Sequence, residues 1–224
     1  VVWTDRAKDE AYTSLLKAVK TGLISEERID QSVKRIIKTK LKRGLFEETP
    51  DPKIEDVRKI VGNKLHQQIA QLIAERSITV VKNFKNIIPL SSSERIVVVS
   101  PFAYLADELN SMGLKNDLVK MRLKLKSSEV INVANKAVSK DKNTSAYLVA
   151  VLDQSQTEVA NMIKKRTSKP VIVASLDSPY MYSDVMSADA YLCAYSFRLQ
   201  ALKALAEVLV GKFEPVGKLP VEVF

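Results

Sequence analysis

Apolar residues recur every three or four positions over the first third of the chain, and beyond residue 78 they gather into short unbroken runs. The first rhythm is helical. It predicts one helix from about Asp5 to Lys20, stopped by Gly22. A second starts at Ser25, whose hydroxyl can cap the opening turn, with Glu26 and Glu27 beside the positive end of the helix dipole. It ends at Gly44, a residue that tolerates the left-handed turn closing many helices. Ile29, Val33, Ile36, Ile37 and Leu41 form its apolar stripe. Phe46 to Pro52 is polar and holds two prolines, which predicts a linker. Asp51-Pro52 then opens a short helix. A further helix, from about Asn63 to Arg76, carries Leu65, Ile69, Leu72 and Ile73 at helical spacing.

The second rhythm predicts strands at Ile78–Val81, Ile96–Val99, Tyr147–Leu152, Val171–Leu176 and Tyr191–Ala194. Amphipathic stretches near 103–112, 128–139, 156–166 and 198–210 separate the later ones. Continuous apolar strands alternating with helices imply an α/β fold: a mostly parallel sheet flanked by helices on both faces, preceded by a helical lead-in. The expected organisation is helices over 1–46, a linker and helices over 47–77, and an α/β sandwich over 78–224. In such sheets ligands meet the loops at the carboxyl ends of strands. Those loops hold Ser100-Pro101, Asp153 to Ser155, Asp177-Ser178-Pro179-Tyr180 and Tyr195-Ser196.

Composition narrows the chemistry. The net charge is +9, and its densest run, from Lys34 to Arg43, lies opposite the apolar stripe of its helix, as a solvated face does. No zinc-finger, helix-turn-helix or RNA-binding signature accompanies it, so no nucleic-acid partner is expected. No run approaches the roughly 20 apolar residues of a membrane span. Cys193 is the single cysteine, sits in an apolar run, and excludes an internal disulfide. His66 is the single histidine and comes before the sheet, so a hydrolase triad in the usual order fails, and no metal-ligand cluster is present. With six glycines and no G-x-G-x-x-G or P-loop, no cofactor is expected. Paired carboxylates are harder to dismiss: a retaining glycosidase needs two carboxyl groups about 5 Å apart, and Asp153 and Asp177 both follow strands.

Several stretches, in order, resemble one family. Ala18 to Asp30, Ser32 to Ile37, Lys40 and Gly44-Leu45-Phe46 look like the end of the barrel domain in glycoside hydrolase family 3, which includes β-N-acetylglucosaminidases and β-glucosidases. His66, Ala74 to Asn83 and Ile88-Pro89-Leu90 look like the crossing into its second domain. Val171 to Tyr180 resembles the strand and Ser-Pro-Tyr turn of the hexosaminidase-like branch, although Met181 stands where that branch often has Asp. Ala194-Tyr195, Ala201-Leu202, Val208 to Gly211 and Pro215 to Val221 resemble the domain's end, while 104–140 carries no matching motif.

The resemblance implies a glycosidase whose nucleophilic Asp and, in that branch, His-Asp acid/base pair lie on a preceding βα barrel, upstream of residue 1. Val1-Val2-Trp3 reads as the interior of such a longer protein. The chain is then expected to hold no catalytic residue. Its partners would be its own barrel and a carbohydrate substrate, in an extracellular or cell-envelope setting. Asp153, Asp177, Ser178, Tyr180 and Tyr195 become candidates for the rim of the sugar site, because aromatic rings stack on sugars and carboxylates accept from hydroxyls. Two alternatives stand beside this reading: a non-catalytic carbohydrate- or protein-binding module, and a stand-alone enzyme using Asp153 and Asp177.

Overall fold

The computed structural model describes residues 8–47 and 53–223. Residues 5–7 of the first expected helix, most of the expected linker and the Asp51-Pro52 cap lie outside the described residues. The chain divides into two compact units, Val1–Val57 and Arg58–Phe224.

The first unit contains α1 (Lys8–Lys20) and α2 (Glu26–Lys42). Ser25 caps α2 as its position suggested, its hydroxyl accepting from the Arg28 N–H at 3.2 Å. No residue of α2 is buried. The stripe residues Val33, Ile36, Ile37 and Leu41 are all exposed, as are Leu15 and Leu16 of α1. Helical periodicity fixes these helices, but two helices alone have no layer to cover their apolar sides.

Helix α3 (Ile54–Ile60) follows, and α4 (Lys64–Ser77) leads into the sheet. The strands are β1 (Thr79–Asn83), β2 (Arg95–Ser100), β3 (Lys115–Lys120), β4 (Ala146–Val151), β5 (Val171–Ser175) and β6 (Ala190–Cys193). Their order is β1-β6-β5-β4-β2-β3. All neighbours pair in parallel except β1, which runs antiparallel to β6 with an irregularity between Val80 and Lys82. Every residue of β4, β5 and β6 is buried, so both faces need a cover. Helices α5 (Ala103–Ser111) and α8 (Leu199–Leu209), with the end of α4, pack on one face around Leu105, Leu148, Leu192 and Leu205. Helices α6 (Ser127–Val138) and α7 (Gln154–Lys164) cover the other around Val99, Ala134, Val159 and Val173. No helix among the described residues is long and apolar enough to cross a membrane.

Polar anchors close the amino-terminal end of the sheet. The Tyr147 hydroxyl, on a buried ring, donates to Asp141 Oδ1 at 2.8 Å, and Thr167 donates to the same oxygen at 2.7 Å. Lys169 Nζ donates to the carbonyls of Asp141 and Thr144. The Thr167 and Tyr147 hydroxyls hold the Asp141 carboxyl below the usual carboxylate range. At the opposite end, the tail after α8 crosses the start of β1, where the Gly217 N–H donates to the Ile78 carbonyl at 3.1 Å.

Two measurements test these anchors. A Cβ at Gly217 would stand 2.4 Å from the Ser77 carbonyl oxygen and 2.5 Å from that of Ile78, both backbone atoms. Gly217→Ala is therefore expected to cost roughly 2 kcal/mol or more in urea unfolding. Asp141→Ala strands the buried Tyr147 hydroxyl and is expected to cost about 1–2 kcal/mol at neutral pH. A folded-state pKa below the unfolded value stabilises at higher pH and stops doing so as pH falls through it. The gap between wild type and Asp141→Ala should therefore narrow as unfolding is measured below about pH 4.

Candidate functional site

Strands β6, β5, β4 and β2 end side by side, so the loops carrying Tyr195, Asp177, Asp153 and Phe102 line up along one edge in that order. Val151 and Ser175 are register partners, and Asp153 and Asp177 each lie two residues beyond them. The sheet thus places the two acidic loops next to each other.

Their environments differ. Asp153 precedes α7, and its Oδ1 accepts from the Ser155 hydroxyl at 2.6 Å. The same hydroxyl oxygen accepts from the Leu125 N–H at 3.0 Å, which ties the loop after β3 to α7. Gln156 completes the tie from a fully buried position. Its Oε1 accepts from the Leu152 N–H at 2.6 Å, while its Nε2 donates to the carbonyls of Arg122 at 2.9 Å and Leu123 at 3.1 Å. This is the topological switch, where the strand order reverses between β2 and β4 and α/β sheets usually open a ligand crevice. Here a glutamine side chain spans it.

Asp177 is exposed, and its carboxylate has no partner among the described residues. Ser178 is half-buried; its hydroxyl accepts from the Tyr180 N–H at 3.3 Å and its carbonyl accepts from the Ser175 hydroxyl at 2.6 Å. The Ser-Pro-Tyr stretch is more than a turn, since it opens a 3-10 segment, Pro179–Val185. Pro179 and Tyr182 are buried, and Tyr191 Oη donates to the Pro179 carbonyl at 3.2 Å. Within Ser178-Pro179-Tyr180 only Tyr180 is exposed, at 58%.

Tyr195 is held in the left-handed region at φ 55°. A side chain costs about 1–2 kcal/mol there, so neighbouring contacts must impose the conformation. One is the Tyr195 hydroxyl, which donates to Thr79 Oγ1 at 3.0 Å. Burial raises its phenol pKa. Cys193 is buried within β6, and loss of solvent pushes its thiol up to about 11, although the Tyr191 and Tyr195 hydroxyls pull the other way. Such a thiol is protonated and unreactive near neutrality. His66 is exposed on α4. Among the described residues no group of three or more His, Cys, Asp or Glu could hold a metal ion.

Sequence reasoning missed an aromatic stack on this edge. Phe102, after β2, stacks on Phe197, before α8, at 5.6 Å between centroids and 7° between planes, and the Arg198 guanidinium lies 5.3 Å from the Phe197 centroid. The only hint in the chain is that both phenylalanines follow strands.

No protein-family model matches the chain. Over 215 residues, 95% of its length, it is 27% identical to beta-glucosidase C of Emericella nidulans, of which it covers 34%. It is 23% identical to the periplasmic beta-glucosidase of Salmonella typhimurium over 95% of its own length and 36% of that protein's. The chain therefore spans about a third of these relatives. The structure of a glycoside hydrolase family 3 β-N-acetylglucosaminidase from Paenibacillus sp. str. FPU-7 superimposes with a TM-score of 0.69 at 23% identity, covering 94% of this chain and 42% of that one.

The switch-point tie has a direct test. Gln156→Ala leaves the Leu152 N–H and two loop carbonyls without their partner. An expected loss of about 3 kcal/mol in urea unfolding follows, with faster amide hydrogen exchange confined to residues 121–126 and the start of α7.

Proposed function

We infer that this chain, a glycoside hydrolase family 3 carboxy-terminal domain in sequence likeness and fold, serves a larger glycosidase as the non-catalytic wall beside the sugar site. The observation that carries the reading is likeness along 95% of the chain to enzymes about three times longer. Cleaving a glycosidic bond requires two positioned carboxyl roles, one of them as nucleophile or base. On this edge Asp153 is engaged by Ser155, and Asp177 stands without a partner. In this reading the nucleophile belongs to a βα barrel encoded upstream, and the parent enzyme hydrolyses O-glycosyl bonds in carbohydrate or cell-wall turnover. The Ser178-Pro179-Tyr180 stretch, which resembles the hexosaminidase-like branch, supports N-acetylglucosaminides as its substrates.

The wall's contribution would come from Tyr180, Asp177 and Ser178 after β5, Tyr195 after β6 and Asp153 after β4. An outward tyrosine offers a ring face to the C–H side of a sugar, and a carboxylate without a partner accepts from its hydroxyls.

The purified chain is expected to release no nitrophenol from p-nitrophenyl N-acetyl-β-glucosaminide or p-nitrophenyl β-glucoside above the rate without protein. Turnover that disappears in Asp153→Asn or Asp177→Asn would instead establish a stand-alone enzyme. The gene's upstream coding region is expected to encode a βα barrel of about 250 residues, and a different architecture there would remove the reading's basis.

A further inference from the structure

Helix α4 buries only Ala74, although it packs beside α8. Leu65, Ile69, Leu72 and Ile73 remain 46–63% exposed. Between α4 and α8 runs an open groove made of two cavities, about 430 and 410 Å³, which share Gln200 as a lining residue. Its floor is small, with Ala70, Ala74, Ala194 and Ala201, and its walls include Ile73 and Leu199, both more than half exposed. A floor of alanines lets another backbone come close, and aliphatic walls reward its apolar side chains.

The charge of the groove has one sign. Lys64, Arg198 and Lys203 line it, and no Asp or Glu does. Glu75 on α4 accepts from Gln71 Nε2 at 3.0 Å, and Glu108 on α5 is engaged by Tyr104. Arg198 is steadied by the Phe197 ring, which Phe102 backs from β2. The 14 residues of α4 extend about 21 Å, the length of a four-turn helix.

We propose that the α4–α8 groove is a docking site for an acidic amphipathic helix of a protein partner. Its apolar stripe would lie over Ala70, Ala74 and Ala201, and its carboxylates would meet Lys64, Arg198 and Lys203. Helix-in-groove recognition uses this combination of apolar anchors and flanking charge. A second copy of the chain fits poorly, because each copy carries a net charge of +9. Tyr195 and Ser196 also line the groove, so it adjoins the wall assigned above; the proposal goes beyond that reading, and its test requires no sugar.

Fluorescence anisotropy with the full chain and two fluorescein-labelled, amidated 15-residue peptides tests it. Both carry leucines at i, i+4, i+7 and i+11; one has glutamate at the polar positions and the other lysine. The acidic peptide is expected to bind saturably and the lysine twin is not. Arg198→Glu with Lys203→Glu should weaken the acidic peptide about tenfold or more, with unchanged circular dichroism. Hydrogen exchange should slow on α4 and α8 when the acidic peptide binds. Equal binding of both peptides, binding of neither, or an affinity that the double variant leaves within twofold would each overturn the proposal. Sedimentation showing a dimer that Ile73→Asp converts to monomer would assign the groove to a second copy and overturn it too.

Discussion

A sheet buried on both faces governs this structure. Strands β4, β5 and β6 expose no residue at all. A parallel sheet of that kind loses the hydrophobic contribution of one face unless helices cover it. The chain must therefore send connections to both faces: α5 and α8 to one side, α6 and α7 to the other. With both faces covered, the carboxyl ends of the strands are left to the loops, where ligands usually meet such a sheet. The same topology creates a crevice between β2 and β4, and the buried Gln156 fills it with hydrogen bonds that would otherwise be missing from Leu152 and the 121–126 loop. The proposed wall therefore draws on the loops after β4, β5 and β6 and not on the crevice itself.

Burial also explains what the sequence could reveal. Strands β4, β5 and β6 were legible because full burial demands unbroken apolar runs. Strand β3 was missed: Lys115-Asn116-Asp117-Leu118-Val119-Lys120 is an edge strand with one neighbour, and only Val119 is buried. Its polar ends are used elsewhere, Asp117 forming a two-bond pair with Arg95 on β2, each bond at 2.9 Å. The antiparallel direction of β1 was equally invisible, because an apolar run states burial and not orientation. For α2 and α4 the stripe correctly gave the helix. Periodicity records the face a helix would bury, and both helices keep that face exposed.

The candidate site was legible as positions more than as chemistry. The rule that ligands meet strand ends picked out Asp153, Asp177, Ser178, Tyr180 and Tyr195, and the topology sets their loops in a row. Sequence could not separate an aspartate engaged in fastening a loop from one facing water, because Ser155 and Leu125 enter the distinction only after folding. It could not find the Phe102–Phe197 stack either, since the two rings meet across loops whose strands are separated by β4 and β5. The Ser-Pro-Tyr stretch was read as a turn. Pro179 and, further on, Tyr182 are instead packing residues, while Tyr180 is exposed.

In the proposed reading this edge would serve sugar chemistry without performing it, and its rigidity suits that role. Binding a flexible loop to a ligand spends free energy on ordering, and a loop already fixed avoids that cost. Tyr195 sits in a backbone region that disfavours side chains, so its surroundings must outweigh the strain. The hydroxyl bond to Thr79 contributes, and the chain around Thr79 is itself pressed by Gly217, whose position no larger residue could occupy without displacing backbone carbonyls. The carboxy-terminal tail, the start of β1 and the end of β6 are thereby locked into one assembly, and the loop after β5 is pinned to it through Ser175 and Tyr191. A wall built this way presents Tyr180 and Asp177 from a fixed base. Under the proposed function, that is the property a neighbouring catalytic domain would need from a surface that positions a sugar.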